Sequence, residues 1–263
     1  MFIVPVIDLM GGQAVHARRG DRQHYAPIQS RLVAGSAPVA VTGALLQAAA
    51  TAQAALAGRL AAAGLPAAVS ESAEPRLYIA DLDALQGRPA QLALVAELLD
   101  AYPRLHVWLD AGLADAQAAA QARACFSPGQ SARLKTLYAS EALASAQALA
   151  ACCGGEAGRQ AILSLDQRGA QKMDPAGCWQ RPELWPDDLI VMTLERVGAG
   201  SGPALDVLAQ VQASARSGRA AGQPLPRLWG AGGVRDLADL VAATQAGASG
   251  WLIATALHEG TLV

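Results

Sequence analysis

The sequence predicts an α/β fold, a (β/α)₈ barrel of the TIM type, and three observations point there. Short apolar runs recur eight times along the chain. Longer Ala/Leu-rich segments with helical spacing lie between them. The length of 263 residues suits one such barrel, which typically needs about 250. A doubly wound open sheet is the competing arrangement.

Taken in order, the strand candidates are FIVPVID (2–8), RLYIAD (76–81), LHVWLD (105–110), LKTLYA (134–139), QAILSLD (160–166), LIVMT (189–193), PRLWGA (226–231) and GWLIA (250–254). Most are continuous rather than alternating apolar runs, as expected for parallel strands covered on both faces. Between them, 90–101, 143–151, 204–214 and 237–246 carry apolar side chains at i, i+3 and i+4 and read as helices. The Ala-rich stretch 45–63 also reads as a helix, since Gln47, Gln53 and Arg59 interrupt it as a membrane span. No linker or charged tract divides the chain, so residues 1–263 are expected to form one domain. The stretch 22–38 after strand one is expected to be a mobile loop at the barrel mouth.

The chain resembles itself. DLMGGQ (8–13) echoes DQRGAQ (166–171), and WLDAGLAD (108–115) echoes WGAGGVRD (229–236). The pair Ala139-Ser140 after strand four answers Ala254-Thr255 after strand eight. An internal repeat of half a barrel follows, with strands one to four a degenerate copy of five to eight. Each repeated stretch then falls at the C-terminal mouth, where this fold keeps its chemistry.

Composition narrows the function. With a net charge of −2 and scattered basic residues apart from Arg18-Arg19, there is no electrostatic footprint for nucleic acid or an anionic membrane. The four cysteines, Cys125, Cys152, Cys153 and Cys178, lack metal-ligand spacing and read as free thiols in a reducing cytoplasm. No basic leader precedes the first strand, so no signal peptide is expected. His16, His24, His106 and His258 show no metal-ligand spacing either, and His258, one turn into the last helix, is expected at the surface or in a capping role. No metal is anticipated. Lysine is confined to Lys135, expected at the barrel bottom, and Lys172 on a loop, which disfavours Schiff-base chemistry.

Two constellations remain. Asp8 and Asp166 end strands one and five, which face each other across an eight-stranded barrel. Two carboxylates on opposite sides of a pocket can serve as base and acid if their environments separate their pKa values. The alternative is that each is a solvated strand end or a helix N-cap. The second is GAGGVRD (230–236) followed by IATALHEG (253–260). A Gly232-Gly233 turn opening a helix exposes backbone N–H groups, and the small pair Ala254-Thr255 lets a phosphate approach. Glycines also serve plain tight turns. Thr193, ending strand six, is a candidate hydrogen-bond donor into the pocket. Asp81, Asp110, Ser140 and Gly202 are further substrate-contact candidates.

These stretches resemble the HisA/HisF histidine-biosynthesis barrel family, and most of all its isomerase branch. VPVIDLMGGQAVHARRGD (4–21), IADLDAL (79–85), LSLDQRGAQKMDPAGCW (163–179), GAGGVRDLADL (230–240) and GWLIATALHEG (250–260) carry the likeness over nearly the whole chain. The resemblance implies a cofactor-independent Amadori-type aldose–ketose isomerase. Asp8 would be the general base, Asp166 the general acid and Thr193 a supporting donor. It implies a sugar-phosphate substrate, with no nucleic-acid or membrane partner; a homo-oligomer is compatible with the sequence.

Two departures qualify the likeness. The family binds a second phosphate at a strand-three Gly-Gly-Gly-Ile-Arg turn, whereas this chain reads Asp110-Ala111-Gly112-Leu113-Ala114. A phosphate dianion facing Asp110 would be repelled. In the strand-six loop, Gly198 stands where the isomerase usually has an aspartate. The combination VHARRGDRQHY with LDAGL resembles isomerase-like paralogues of methanogens and methylotrophic bacteria, associated with tetrahydromethanopterin- or methanofuran-type one-carbon cofactors. A substrate with one phosphate and a neutral or hydroxyl-rich far end would follow. The histidine-pathway isomerase itself and a non-catalytic binding barrel are the alternatives.

Overall fold

The computed structural model describes residues 1–16, 25–66, 74–219 and 224–262. Arg18, Arg19 and His24 lie outside them. Eight parallel strands close into a barrel: β1 (Phe2–Met10), β2 (Arg76–Asp81), β3 (His106–Asp110), β4 (Leu134–Ala139), β5 (Ala161–Arg168), β6 (Asp188–Thr193), β7 (Arg227–Ala231) and β8 (Gly250–Ile253). Closure is made by β8 on β1, with Phe2 opposite Gly250 and Pro5 opposite Ile253.

Register and the two-residue period of a strand decide which side chains enter the barrel. Val6 pairs with Tyr78 and Asp8 with Ala80, and Ala80 in turn pairs with Asp110. The interior is filled by Val4, Tyr78, Trp108, Leu137, Ile162, Ile190, Trp229 and Leu252. The alternate residues, among them Ile7, Ile79, Leu109, Leu163 and Val191, form the larger core beneath the helices. At the floor, Trp108 and Trp229 meet edge to face with centroids 4.7 Å apart, and the Arg76 guanidinium lies 4.3 Å over the Phe2 ring. There Asp188 accepts from Lys135, Arg227 and the Trp229 indole, and this puts Lys135 at the bottom as its position in strand four implies.

The outer layer is helical: α1 (Pro38–Ala62), α2 (Leu92–Ala101), α3 (Ala116–Arg123), α4 (Ala146–Cys153), α5 (Leu205–Gly218), α6 (Leu237–Gln245) and the short α7 (Thr255–His258). Asp115, Ser145 and Asp236 cap α3, α4 and α6 by accepting from backbone N–H groups of the first turn. Helix α1 is long and apolar enough, by length and composition alone, to cross a membrane. Here Val41, Leu45, Ala52, Leu56 and Leu60 are instead buried in the core.

One helix of the expected alternation is replaced. Between β5 and β6 the chain forms two single turns of 3₁₀ helix, Cys178–Gln180 and Pro182–Leu184. Pro175, Pro182 and Pro186 remove donors that an α-helix needs, and the Asp174 carboxylate fixes the turn by accepting from the N–H groups of Cys178 and Trp179. Strands β1 and β5 also run on past the mouth. Each folds back as a hairpin, β1 with Gln13–His16 and β5 with Gln171–Lys172. The two matching hexapeptides thus occupy equivalent places.

Candidate active site

A cavity of about 350 Å³ opens at the C-terminal mouth. Asp8, Asp110 and Asp166, from β1, β3 and β5, line it together with Tyr78 and Glu141. Gly232, Gly233, Ala254 and Thr255 line it from the β7–β8 side. Much of the remaining wall is apolar, including Val6, Leu82, Leu85, Met192, Val197 and Leu252.

Asp166 is the most constrained of the carboxyl groups. It is 4% exposed, and burial is the main force raising its pKa to about 8. The Ser164 hydroxyl donates to its Oδ1 at 2.6 Å and pulls partly the other way, while Glu141 and Asp110 push it further up. Near neutrality Asp166 therefore holds its proton. Its backbone is fixed as well: its N–H donates to Ser140 Oγ at 2.9 Å, and that hydroxyl donates to the Met173 carbonyl at 2.8 Å. Asp8 is half-buried. The Tyr78 phenol stands among the three aspartates; burial first, then Asp110, Asp166 and Asp8, raise it well above its ordinary range.

The β7 turn is built for close approach. Gly232 and Gly233 have φ of 82° and 84°, values that L side chains rarely adopt. A Cβ on Gly233 would lie 2.1 Å from the Gly202 carbonyl oxygen. Gly202 does not line the cavity; its N–H donates to the Gly233 carbonyl at 2.9 Å, so it clamps the turn from behind. Arg235 also lines the cavity, with its guanidinium paired to Asp239.

Three other anticipated contacts also lie off the cavity wall. Asp81 is fully buried, caps the turn Leu82–Leu85 through the Ala84 N–H, and accepts from the backbone and side chain of Gln91. For this strand end the capping role is the one taken. Ser140 is buried behind Asp166 and holds it in place. Thr193 is buried, and its hydroxyl has no partner among the described residues. Met192 pairs with Asp166 in register and faces inward, so strand alternation places Thr193 with Leu189 and Val191 on the outer side.

His258 corrects the surface placement. It is buried and lines the cavity, with Nδ1 2.9 Å from Ser30 Oγ, because the segment after the first hairpin folds over it. The Arg31 N–H also donates to its carbonyl. Burial, with His16 adding to it, lowers the imidazole to about 4, so the ring is neutral. Tyr78, Glu141 and Ser164 were not singled out by sequence. Strand parity could have flagged two of them, since Tyr78 and Ser164 share the inward face with Asp8 and Asp166.

A family model described as "Histidine biosynthesis protein" matches residues 2–263. No curated protein matches the chain. The chain belongs to this histidine-biosynthesis family, the HisA/HisF barrels, whose members are mostly isomerases and cyclases.

Proposed function

We propose that this member of the histidine-biosynthesis family is a cofactor-independent aldose–ketose isomerase acting on a sugar phosphate. The observation that carries the reading is the contrast between two carboxyl groups in one cavity. Asp166 is enclosed and protonated near pH 7, while Asp8 stands half-buried on the facing strand. Different environments of this kind separate an acid from a base. Asp166 gives its proton to the ring oxygen of an aldosylamine as the C1–O bond breaks, leaving a protonated imine. Asp8 then takes the C2 proton to form an enaminol and returns it to C1, while the C2 hydroxyl gives its proton to the ionised Asp166 and becomes the ketose carbonyl. Gly232, Gly233, Ala254 and Thr255 cradle the phosphate with backbone N–H groups.

Exchange of the C2 proton for deuterium in a phosphorylated ribosyl-arylamine, followed by NMR, tests the reading. Asp8→Asn should slow exchange by about a thousandfold with the fold intact; an Asp8→Asn variant of normal activity would refute the mechanism. Asp110 favours a paralogue serving one-carbon cofactor synthesis over the histidine-pathway enzyme itself. On this reading the chain does not rescue an isomerase-deficient histidine auxotroph, and growth would count against it.

A further inference from the structure

Two turns flank the cavity with the same layout and different side chains at the strand end, a methyl group at one and a carboxyl group at the other. Strand β7 ends in Ala231 and passes to Gly232-Gly233, while β3 ends in Asp110 and passes to Ala111-Gly112. Ala231 and Asp110 both line the cavity, and each turn leads to an aspartate-capped helix. Ala114 stands at the point in the β3 turn that Arg235 takes in the β7 turn.

At β3 the protein supplies the anion itself. Asp110 Oδ1 accepts from the Gly112 N–H at 3.3 Å, and Oδ2 accepts from the Tyr78 hydroxyl at 2.8 Å. The amide that would greet a ligand phosphate already faces a carboxylate. Asp166 and Glu141 line the cavity too, and Glu141 donates its backbone N–H to Asp166. Among the described residues, a ligand anion at this turn would meet the Asp110 carboxylate, whereas a hydroxyl or amine would find an acceptor there.

We infer that Asp110, oriented by Tyr78, is a specificity site that binds the non-phosphorylated end of the ligand through a donated hydroxyl or amine hydrogen and rejects a second phosphate. The inference rests on the phosphate cradle at β7–β8 proposed above. Asp110 does no chemistry; it fixes which way round a singly phosphorylated sugar lies between Asp8 and Asp166.

Calorimetric titration of the full chain with ribose 5-phosphate and with ribulose 1,5-bisphosphate tests it. The wild type should bind the monophosphate at least about tenfold more tightly, and Asp110→Asn should reduce the difference to about threefold or less by tightening the bisphosphate. Tyr78→Phe, which keeps the charge, should weaken the monophosphate and leave the bisphosphate weak. Ala231→Asp, which copies the β3 arrangement into the β7 turn, should abolish monophosphate binding. Equal affinities in the wild type, or an unchanged ratio in Asp110→Asn, would overturn the inference. Binding of neither sugar would overturn it together with the cradle. Discrimination without any isomerase turnover would uphold the inference and remove only the isomerase reading.

Discussion

Asp166 at the mouth and Asp188 at the floor are buried to nearly the same degree, 4% and 1% exposed, yet they are driven in opposite directions. Burial pushes both upward. At Asp188 the Lys135 ammonium and the Arg227 guanidinium outweigh burial and hold the carboxyl below its ordinary value. At Asp166 the neighbours Glu141 and Asp110 are themselves acidic, and the value rises to about 8. Burial therefore sets the stakes and the neighbours decide the outcome. The floor uses its aspartate as an anchor for cations, and the aspartate at the mouth holds its proton.

Exchanging each carboxyl for its amide should separate the two ends most sharply. Asp166→Asn should lower turnover by about a thousandfold without lowering stability at pH 7, since the amide needs no proton to be buried. Asp188→Asn should leave the site intact but cost about 3 kcal/mol in chemical denaturation, because it strips a buried partner from two cations. Loss of activity at the floor with no loss of stability would break the comparison.

The two turns at the mouth should differ next. Gly233→Ala sets a Cβ against backbone, the Gly202 carbonyl, in a left-handed conformation, and should cost about 3 kcal/mol along with phosphate binding. Gly112→Ala, also at positive φ, has the movable Leu85 side chain at 3.2 Å as its nearest neighbour and should cost about 1 kcal/mol. Paired urea melts of the two variants would show the order.

The pH dependences of the two ends should run oppositely. The raised Asp166 means the folded chain retains a proton that the unfolded chain has released above pH 3.8. Its contribution to stability is fully present below 3.8 and declines as pH rises through about 8, the point at which turnover should also fall. The depressed Asp188 contributes above 3.8 and loses its contribution as pH falls through its lowered value. The smallest effect should come from Ser164→Ala. Removing a bond that favours the charged form should move the alkaline fall in turnover upward by about half a unit; a shift downward would contradict the assignment of the limb to Asp166.

Much of this was legible in the sequence because parallel barrel strands are apolar on both faces. The run 189–193 became Asp188–Thr193 and 134–139 was reproduced as Leu134–Ala139. The 3₁₀ turns after β5 went unread, although Pro175, Gly177 and Pro182 argued against a helix there. Asp8 and Asp166 stood out as members of matched hexapeptides, and both reach the cavity. Asp81, Ser140 and Gly202 were harder to place, since polar and glycine residues at strand ends serve caps and clamps as readily as ligands. Thr193 depended on register with β5, which no single strand reveals. Tyr78 was hidden because tyrosine is an ordinary strand residue.

The packed floor has one more consequence. Trp108, Trp229 and Phe2 fill the barrel below the carboxyl groups, and Gly250 leaves the space that Trp229 takes. The described barrel is therefore a cup and not a pipe: a ligand that enters at the mouth meets a closed floor. The segment pinned by Ser30 to His258 stands at the rim of that cup.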